Sequence, residues 1–172
     1  MQKNIVILGA GFGGIRCALE LDRALRKIAM PASGQTRNDG GEEEWRVILV
    51  DRNYYHIYYP RLYDTAIPDS IRSTAEVEKS RINTREILQG TGIKFVQGEV
   101  KGIDCKGRSV EVAKPPLNLP LGKGEKIGYD YLVLALGAGA DYFGIPGLPE
   151  YACTLKSLND AEEIRKKVEE FL

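Results

Sequence analysis

The 172-residue sequence is poor in the residues that build metal sites and disulfide frameworks. It contains three cysteines, Cys17, Cys105 and Cys153, and a single histidine, His56. The cysteines are far apart and form no C-x₂-C or C-x₄-C pair, which argues against a disulfide scaffold, a zinc site and a redox-active disulfide. We therefore expect no metal ion and a reducing compartment.

Excess charge and long apolar runs are also lacking. Lys and Arg together number 24, as do Asp and Glu, so the formal net charge is zero. Proteins that bind nucleic acid through their overall charge have a marked basic excess, so we expect no nucleic-acid partner. No run reaches the roughly 18–20 apolar residues that cross a bilayer. We expect a cytoplasmic protein that is soluble or lies against a membrane surface.

The N-terminal part of the sequence has a strand-helix-strand pattern. Residues 4–8 form a β-branched apolar run, and residues 15–29 repeat apolar side chains at helical spacing. Residues 45–50 form a second apolar run, typical of a strand buried in a parallel sheet. A polar loop over about 30–44 separates the helix from this second strand. The order predicts a βαβ unit.

A glycine-rich turn joins the first strand to the helix. Residues 9–14 read G-A-G-F-G-G and fit the pattern G-x-G-x-x-G. In a dinucleotide site, Gly9 allows the tight turn, Gly11 lets the backbone approach a pyrophosphate, and Gly14 lets helix and strand pack closely. The N-terminus of the helix favours the same anion. The turn therefore predicts a phosphate-binding site.

The same motif requires an acid at the end of the second strand, where it binds ribose hydroxyls. Asp51 occupies that place, although it lies farther from Gly14 than the usual spacing of about 20 residues. The polar loop over about 30–44 accounts for the excess, because loops tolerate insertions. An acid here favours FAD or NAD over NADP, and the neighbouring Arg52 works against that preference. The turn alone leaves FAD and NAD open.

The rest of the chain does not continue the alternating strands and helices of a simple NAD-binding domain. We predict, in order, a helix over 70–88, a strand over 93–96, two strands within 99–112 around a turn at 105–108, a proline-rich loop over 115–126, an apolar strand over 131–135 and a helix over 157–172. Ser157 or Asn159 is the predicted N-cap of the last helix.

This combination resembles the flavoprotein pyridine nucleotide oxidoreductases that contain two dinucleotide-binding domains. In that family an apolar strand ends in a short A-T-G motif beside the FAD, and a G-x-P-G segment follows. Within the family, the chain is similar to the type II NADH dehydrogenases, the single-subunit NADH:quinone oxidoreductases. The segments that resemble them are Ile7–Gly14, Asp51-Arg52-Asn53 with His56 and Pro60, Gly98-Glu99-Val100, Ala135-Leu136-Gly137 and Tyr142–Gly147.

The resemblance implies an α/β fold and one domain, a Rossmann-like FAD-binding domain over 1–172, with a parallel sheet and an antiparallel β-meander. The helix over 157–172 would be the linker to a second, NADH-binding domain that the chain lacks. FAD is the implied cofactor, with NADH and quinone as partners of the full-length enzyme. No residue is implied as catalytic, because the cofactor performs the chemistry. The implied cofactor-binding residues are Gly9, Gly11, Phe12, Gly13, Gly14, Asp51, Arg52, Asn53, Pro60, Val100, Ala135, Leu136 and Gly137.

The chain departs from the family pattern at two positions. Leu136 replaces the usual Thr of A-T-G. Arg61 follows Pro60 where an apolar residue is usual, so Arg61 is either a cation near the flavin or a solvated side chain.

By resemblance the chain is a fragment. We expect the fragment to be inactive alone and to self-associate through apolar surface, as in a homodimer. The full-length protein would lie on the inner face of a membrane.

Three alternatives remain open at this stage. One is a flavoprotein similar to the sulfide:quinone oxidoreductases, which use a cysteine near the position of Cys153. Another is a non-catalytic nucleotide-binding module. The third is an ordinary NAD-dependent dehydrogenase, although no tyrosine near 129–142 has a lysine four residues on.

Overall fold

The computed structural model describes residues 2–29, 44–67, 80–113 and 124–171. The chain divides into two compact units, the first formed by Met1–Tyr54 and Thr84–Gly137 and the second by Tyr55–Asn83 and Ala138–Leu172. The single domain over 1–172 stays a prediction. The loop predicted over about 30–44 lies outside the described residues, except for Glu44, which begins a strand.

The described elements mix strands and helices in the first half of the chain and are mostly strands thereafter. In chain order they are β1 (Gln2–Leu8), α1 (Phe12–Ala29), β2 (Glu44–Asp51), β3 (Tyr55–Ile57), a 3₁₀ helix (Tyr59–Arg61), α2 (Leu62–Thr65), β4 (Arg81–Asn83), α3 (Thr84–Ile87), β5 (Lys94–Gln97), β6 (Glu99–Asp104), β7 (Ser109–Ala113), β8 (Glu125–Gly128), β9 (Tyr131–Leu134), α4 (Leu148–Tyr151) and α5 (Leu158–Glu169).

The first unit is built on a parallel sheet with strand order β5-β2-β1-β9. Alternate residues of β1 and β2 face opposite sides, as pleated strands require. On one side Ile7 and Leu49 pack with Ile15 and Ala18 of α1. The βαβ unit predicted from the two apolar runs is therefore confirmed.

An antiparallel sheet, β6-β7-β8, covers the other side of the parallel sheet. Val110 and Ile127 of this sheet pack against Leu8 and Val50 in one buried cluster. The predicted hairpin within 99–112 is confirmed. The loop predicted over 115–126 is wrong for Glu125 and Lys126, which pair with β7; residues 114–123 lie outside the described part.

The second unit contains a two-stranded antiparallel sheet, β3 with β4, and a small core of Leu62, Leu158 and Ala161. The helix predicted over 70–88 is wrong at 81–83, where the backbone pairs with Tyr55–Ile57 as a strand. Only Thr84–Ile87 is helical in the described part of that prediction, because tertiary pairing overrides helical periodicity. No described helix is long and apolar enough to cross a membrane.

A capped N-terminus begins α5. Ser157, one of the two predicted candidates, is the N-cap, and its side chain accepts a hydrogen bond from the backbone N–H of Asp160 at 3.1 Å. The Asp160 carboxylate accepts hydrogen bonds from Ser157 Oγ, from Thr154 Oγ1 at 2.7 Å and from the Lys156 N–H at 2.9 Å. Burial alone would raise the pKa of Asp160, but these hydrogen bonds hold the pKa below its usual value.

Replacing Asp160 by Ala is therefore expected to cost about 1 kcal/mol of unfolding free energy at neutral pH, a typical net contribution of a hydrogen bond. Because the pKa of Asp160 is lower in the folded state, this contribution is present above the unfolded pKa of about 3.9 and disappears as the pH falls through the folded value. Urea unfolding at pH 7 and below pH 4 checks this, with Glu163→Ala on the same helix as control. An equal cost at both pH values would contradict it.

Candidate functional site

The glycine-rich turn follows β1 directly and is held against the neighbouring strands. The Gly9 N–H donates to the carbonyl oxygen of Val50 at 2.7 Å. Gly9 has φ +101°, in the left-handed region, and a Cβ there would lie 2.3 Å from the carbonyl oxygen of Ala135. A side chain at this position is therefore excluded both by the backbone conformation and by contact with the strand end after β9.

Gly14 allows the first turn of α1 to approach the strands. A Cβ on Gly14 would lie 1.8 Å from the carbonyl oxygen of Gly9 and 3.4 Å from the Cβ of Ala135. No real side chain tolerates the first distance, so only glycine lets the helix begin this close to β1. This geometry matches the packing role predicted for Gly14.

Gly11 and Gly13 have the opposite environment. A Cβ on either residue would meet no protein atom within 4 Å. The carbonyl oxygen of Gly11 accepts from the Ile15 N–H at 3.0 Å, which places Gly11 at the start of α1. The first turn of any helix has N–H groups that its own carbonyls do not accept, and these groups attract anions. The backbone at Gly11 and Gly13 is thus open to a ligand with negative charge.

Asp51 ends β2 beside this turn. Its Oδ2 accepts a hydrogen bond from the Ala10 N–H at 2.6 Å, and its Oδ1 accepts one from the Asn53 N–H at 2.7 Å. Two backbone amides therefore fix the carboxylate next to the glycines. A carboxylate oxygen can accept more than one hydrogen bond, so both oxygens keep capacity for ligand hydroxyls.

Sequence reasoning missed two residues that position Asp51. Ala10 supplies the amide that anchors its side chain, and the Gly98 N–H donates to the Asp51 carbonyl oxygen at 2.8 Å. A Cβ on Gly98 would lie 2.4 Å from Val112 Cγ1, so the position requires glycine. In the sequence both residues stood out only as members of segments that carry the resemblance, Ile7–Gly14 and Gly98-Glu99-Val100.

Charged residues on β6 interact with each other and with Arg52, which follows β2. The Gln97 side chain donates to the Arg52 carbonyl oxygen at 3.5 Å, which places the end of β5 beside Arg52. Lys101 Nζ donates to Glu99 Oε2 at 2.6 Å, and this contact holds the pKa of Glu99 below its usual value, with a smaller effect from Arg52. Val100, between them, packs against the cluster under the parallel sheet.

The segment after β9 completes the cluster in the first unit. The Ala135 N–H donates to the Leu8 carbonyl oxygen at 2.8 Å, and Gly137 has φ +79°. Leu136, where the resemblance implies a threonine, is 64 % exposed and offers no hydroxyl. The structure therefore brings together the predicted residues of the turn, of the end of β2 and of the end of β9. They lie at the carboxyl ends of three neighbouring parallel strands.

The remaining candidates belong to the second unit. Pro60 and Arg61 lie in the 3₁₀ helix, with Arg61 exposed, and His56 is buried on β3. Cys153 is exposed, and its Sγ accepts a hydrogen bond from Lys167 Nζ at 3.3 Å. The roles of Pro60, Arg61 and Cys153 stay predictions. Within the described ranges, no group of three or more His, Cys, Asp and Glu side chains could hold a metal ion.

The parallel sheet, the glycine turn at the end of β1 and the acid at the end of β2 define an α/β protein of the Rossmann-like, dinucleotide-binding class. The family model described as "Pyridine nucleotide-disulphide oxidoreductase" matches residues 3–170. The chain belongs to this family.

Two curated relatives have names that describe NAD(P)H:quinone chemistry. The type II NADH:quinone oxidoreductase Ndh of Mycobacterium tuberculosis is 30% identical over 168 residues, which cover 97% of this chain and 30% of the relative. The alternative NAD(P)H-ubiquinone oxidoreductase C1 of Arabidopsis thaliana is 31% identical over 173 residues, with 97% and 30% coverage. The chain thus spans about 30% of the length of these relatives.

Two solved structures have the same fold. The NDH2 of Plasmodium falciparum in complex with NADH has a TM-score of 0.66 at 24% identity, covering 97% of this chain and 29% of that one. The sulfide:quinone oxidoreductase of Aquifex aeolicus has a TM-score of 0.67 at 24% identity, covering 98% and 32%. The predicted α/β fold with its parallel sheet and antiparallel meander is confirmed.

Proposed function

We propose that this chain binds FAD through the glycine turn and Asp51, as the flavin-holding part of an NADH:quinone oxidoreductase. The observation that carries the proposal is the open backbone at Gly11 and Gly13, next to a carboxylate fixed at the end of β2. Sites of this class place a pyrophosphate on such a turn and ribose hydroxyls on such an acid.

Each part of the cluster has a distinct task in this proposal. The amides at Gly11, Phe12 and Gly13 hold the pyrophosphate, and the N-terminus of α1 stabilises its charge. Asp51 accepts hydrogen bonds from the adenosine ribose. The other contacts proposed in the first unit are Gly9, Gly14, Arg52, Asn53, Val100, Ala135, Leu136 and Gly137. Pro60, in the second unit, is a contact that only the family resemblance implies.

The reaction proposed for the full-length protein is hydride transfer from NADH to FAD, followed by electron transfer to a quinone. The names of the curated relatives support this chemistry. FAD supplies the redox chemistry when bound, and the residues of this chain bind and orient it. The proposed location is the cytoplasm, at the inner face of a membrane. This location suits electron transfer to a quinone, because quinones dissolve in membranes.

An absorbance spectrum tests the proposal directly. We expect the purified chain, incubated with FAD and then freed of unbound ligand, to retain the flavin bands. ADP should displace the flavin, because it shares the half of FAD that contacts the turn and Asp51. Binding of NAD without FAD would favour a simple dehydrogenase. Binding of neither nucleotide would contradict the proposal.

The sulfide:quinone alternative has one observation in its favour, which is the exposed thiol of Cys153 beside Lys167. In this alternative sulfide and the Cys153 thiol are oxidised together to a cysteine persulfide, and FAD would accept the two electrons. It predicts that the FAD-loaded chain loses its flavin absorbance when sulfide is added, and that Cys153→Ser prevents this loss. Unchanged flavin bands in the natural chain would count against this alternative and leave the NADH:quinone proposal in place.

A further inference from the structure

The chain passes from the first unit to the second directly after two of the proposed FAD contacts, Leu136 and Gly137. Gly137 is the last residue of the first unit, and Ala138 is the first residue of the segment that belongs to the second. In the described segment 136–142 the chain forms no helix or strand, so no ladder of backbone hydrogen bonds fixes its conformation. The shape of the proposed site after β9 therefore depends on other contacts to this segment.

A lysine side chain makes such contacts. Lys156 Nζ donates to the carbonyl oxygen of Gly139 at 2.9 Å and to that of Ala138 at 3.3 Å. A lysine ammonium has three N–H donors, so one side chain can serve both carbonyls. Hydrogen bonds from a charged donor are stronger than those between neutral groups. Lys156 therefore holds the two residues that directly follow Gly137.

The backbone of Lys156 is itself held at the start of α5. Its N–H donates to Asp160 Oδ2 at 2.9 Å, and the same oxygen accepts from Thr154 Oγ1 at 2.7 Å. Leu158 and Ala161 of α5 are buried in the core of the second unit. The lysine side chain thus extends from a fixed point to the segment after Gly137, and these contacts all lie within the second unit.

The two halves of FAD have different partners in the proposed function. Asp51 accepts hydrogen bonds from the adenosine ribose, and the glycine turn holds the pyrophosphate. Both groups belong to the ADP half of FAD. Leu136 and Gly137 are then left for the other half, which contains the flavin ring.

We propose that Lys156 is a positioning residue for the flavin half of FAD. It contacts protein atoms and acts through the backbone of Ala138 and Gly139, which sets the conformation of Leu136 and Gly137. This inference rests on the proposed function of the chain. It adds that a residue of the second unit, outside every segment that carries the resemblance, contributes to FAD affinity without contributing to ADP affinity.

A comparison of FAD and ADP binding tests this role. Lys156→Met keeps an unbranched side chain but removes the ammonium, and it leaves the backbone N–H that donates to Asp160 in place. We expect this variant to bind FAD about tenfold more weakly, as the loss of a hydrogen bond from a charged donor predicts. Its affinity for ADP, measured by titration calorimetry, should be unchanged. Lys156→Arg should recover most of the FAD affinity, because it keeps the charge and the N–H donors.

Lys166→Met is the matched control, since Lys166 is an exposed lysine in the last turn of α5. It should bind both nucleotides as the natural chain does. Equal losses of FAD and ADP affinity in Lys156→Met, or no loss of either, would overturn the role of Lys156 and leave the proposed function in place. So would a Lys156→Arg variant that binds FAD as weakly as Lys156→Met. A natural chain that binds neither nucleotide would contradict the proposed function and this inference with it.

Discussion

A Gly11→Val variant is expected to fold and to bind FAD at least about a hundredfold more weakly than the natural chain. A Cβ at Gly11 enters open space, so the protein itself has no clash to relieve. The same space is where the pyrophosphate must approach the backbone. Hydrogen bonds to a charged group contribute about 1.5–3 kcal/mol each, and the loss of two of them corresponds to at least a hundredfold change in Kd.

Gly102→Val is the matched control for this experiment. Gly102 also has no protein atom within 4 Å of an added Cβ, but it lies on β6, outside the proposed site. Both variants should retain the far-ultraviolet circular dichroism of the natural chain, with a small stability cost at Gly11 because valine is a poor N-cap. Flavin fluorescence titration then gives the two Kd values. If Gly11→Val and Gly102→Val bound FAD with equal affinity, the proposed binding of the pyrophosphate at this turn would be contradicted.

The parts of the fold that could be predicted from sequence are those that local pattern determines. Apolar runs in the sequence predict the buried strands β1, β2 and β9. The glycines between β1 and α1 predict a turn with a backbone conformation that only glycine adopts easily. Gly14 illustrates this point, since the contact that requires glycine there involves Gly9, five residues earlier in the same motif.

The parts that could not be predicted depend on contacts between distant segments. Arg81–Asn83 reads as helical in sequence but pairs with β3, which lies outside any local window. The anchoring of Asp51 by Ala10 and Gly98 likewise joins residues on three strands or their ends. The position of β9 at the edge of the sheet follows from strand order, which apolar periodicity does not encode.

Among the glycines in the described part of the chain, substitution of Gly14 by Ala should have the largest effect on stability. The new Cβ would lie 1.8 Å from the Gly9 carbonyl oxygen, a backbone atom that cannot rotate away. Gly9 is in turn hydrogen-bonded to Val50 and enclosed by Ala135, so relief of the clash must move α1 away from three strands. We expect a loss of more than about 3 kcal/mol, a large part of the 5–15 kcal/mol typical of folded domains.

Gly13→Ala, one residue earlier in the same helix, provides the opposite expectation. An added Cβ at Gly13 meets nothing within 4 Å, and alanine is favoured over glycine in a helix by about 1 kcal/mol, so this variant should be unchanged or slightly more stable. Urea unfolding of the two variants compares identical chemical changes at adjacent positions. Similar stability of the two would mean that α1 does not begin against Gly9 and Ala135, and the geometry on which the proposed phosphate site rests would fail with it.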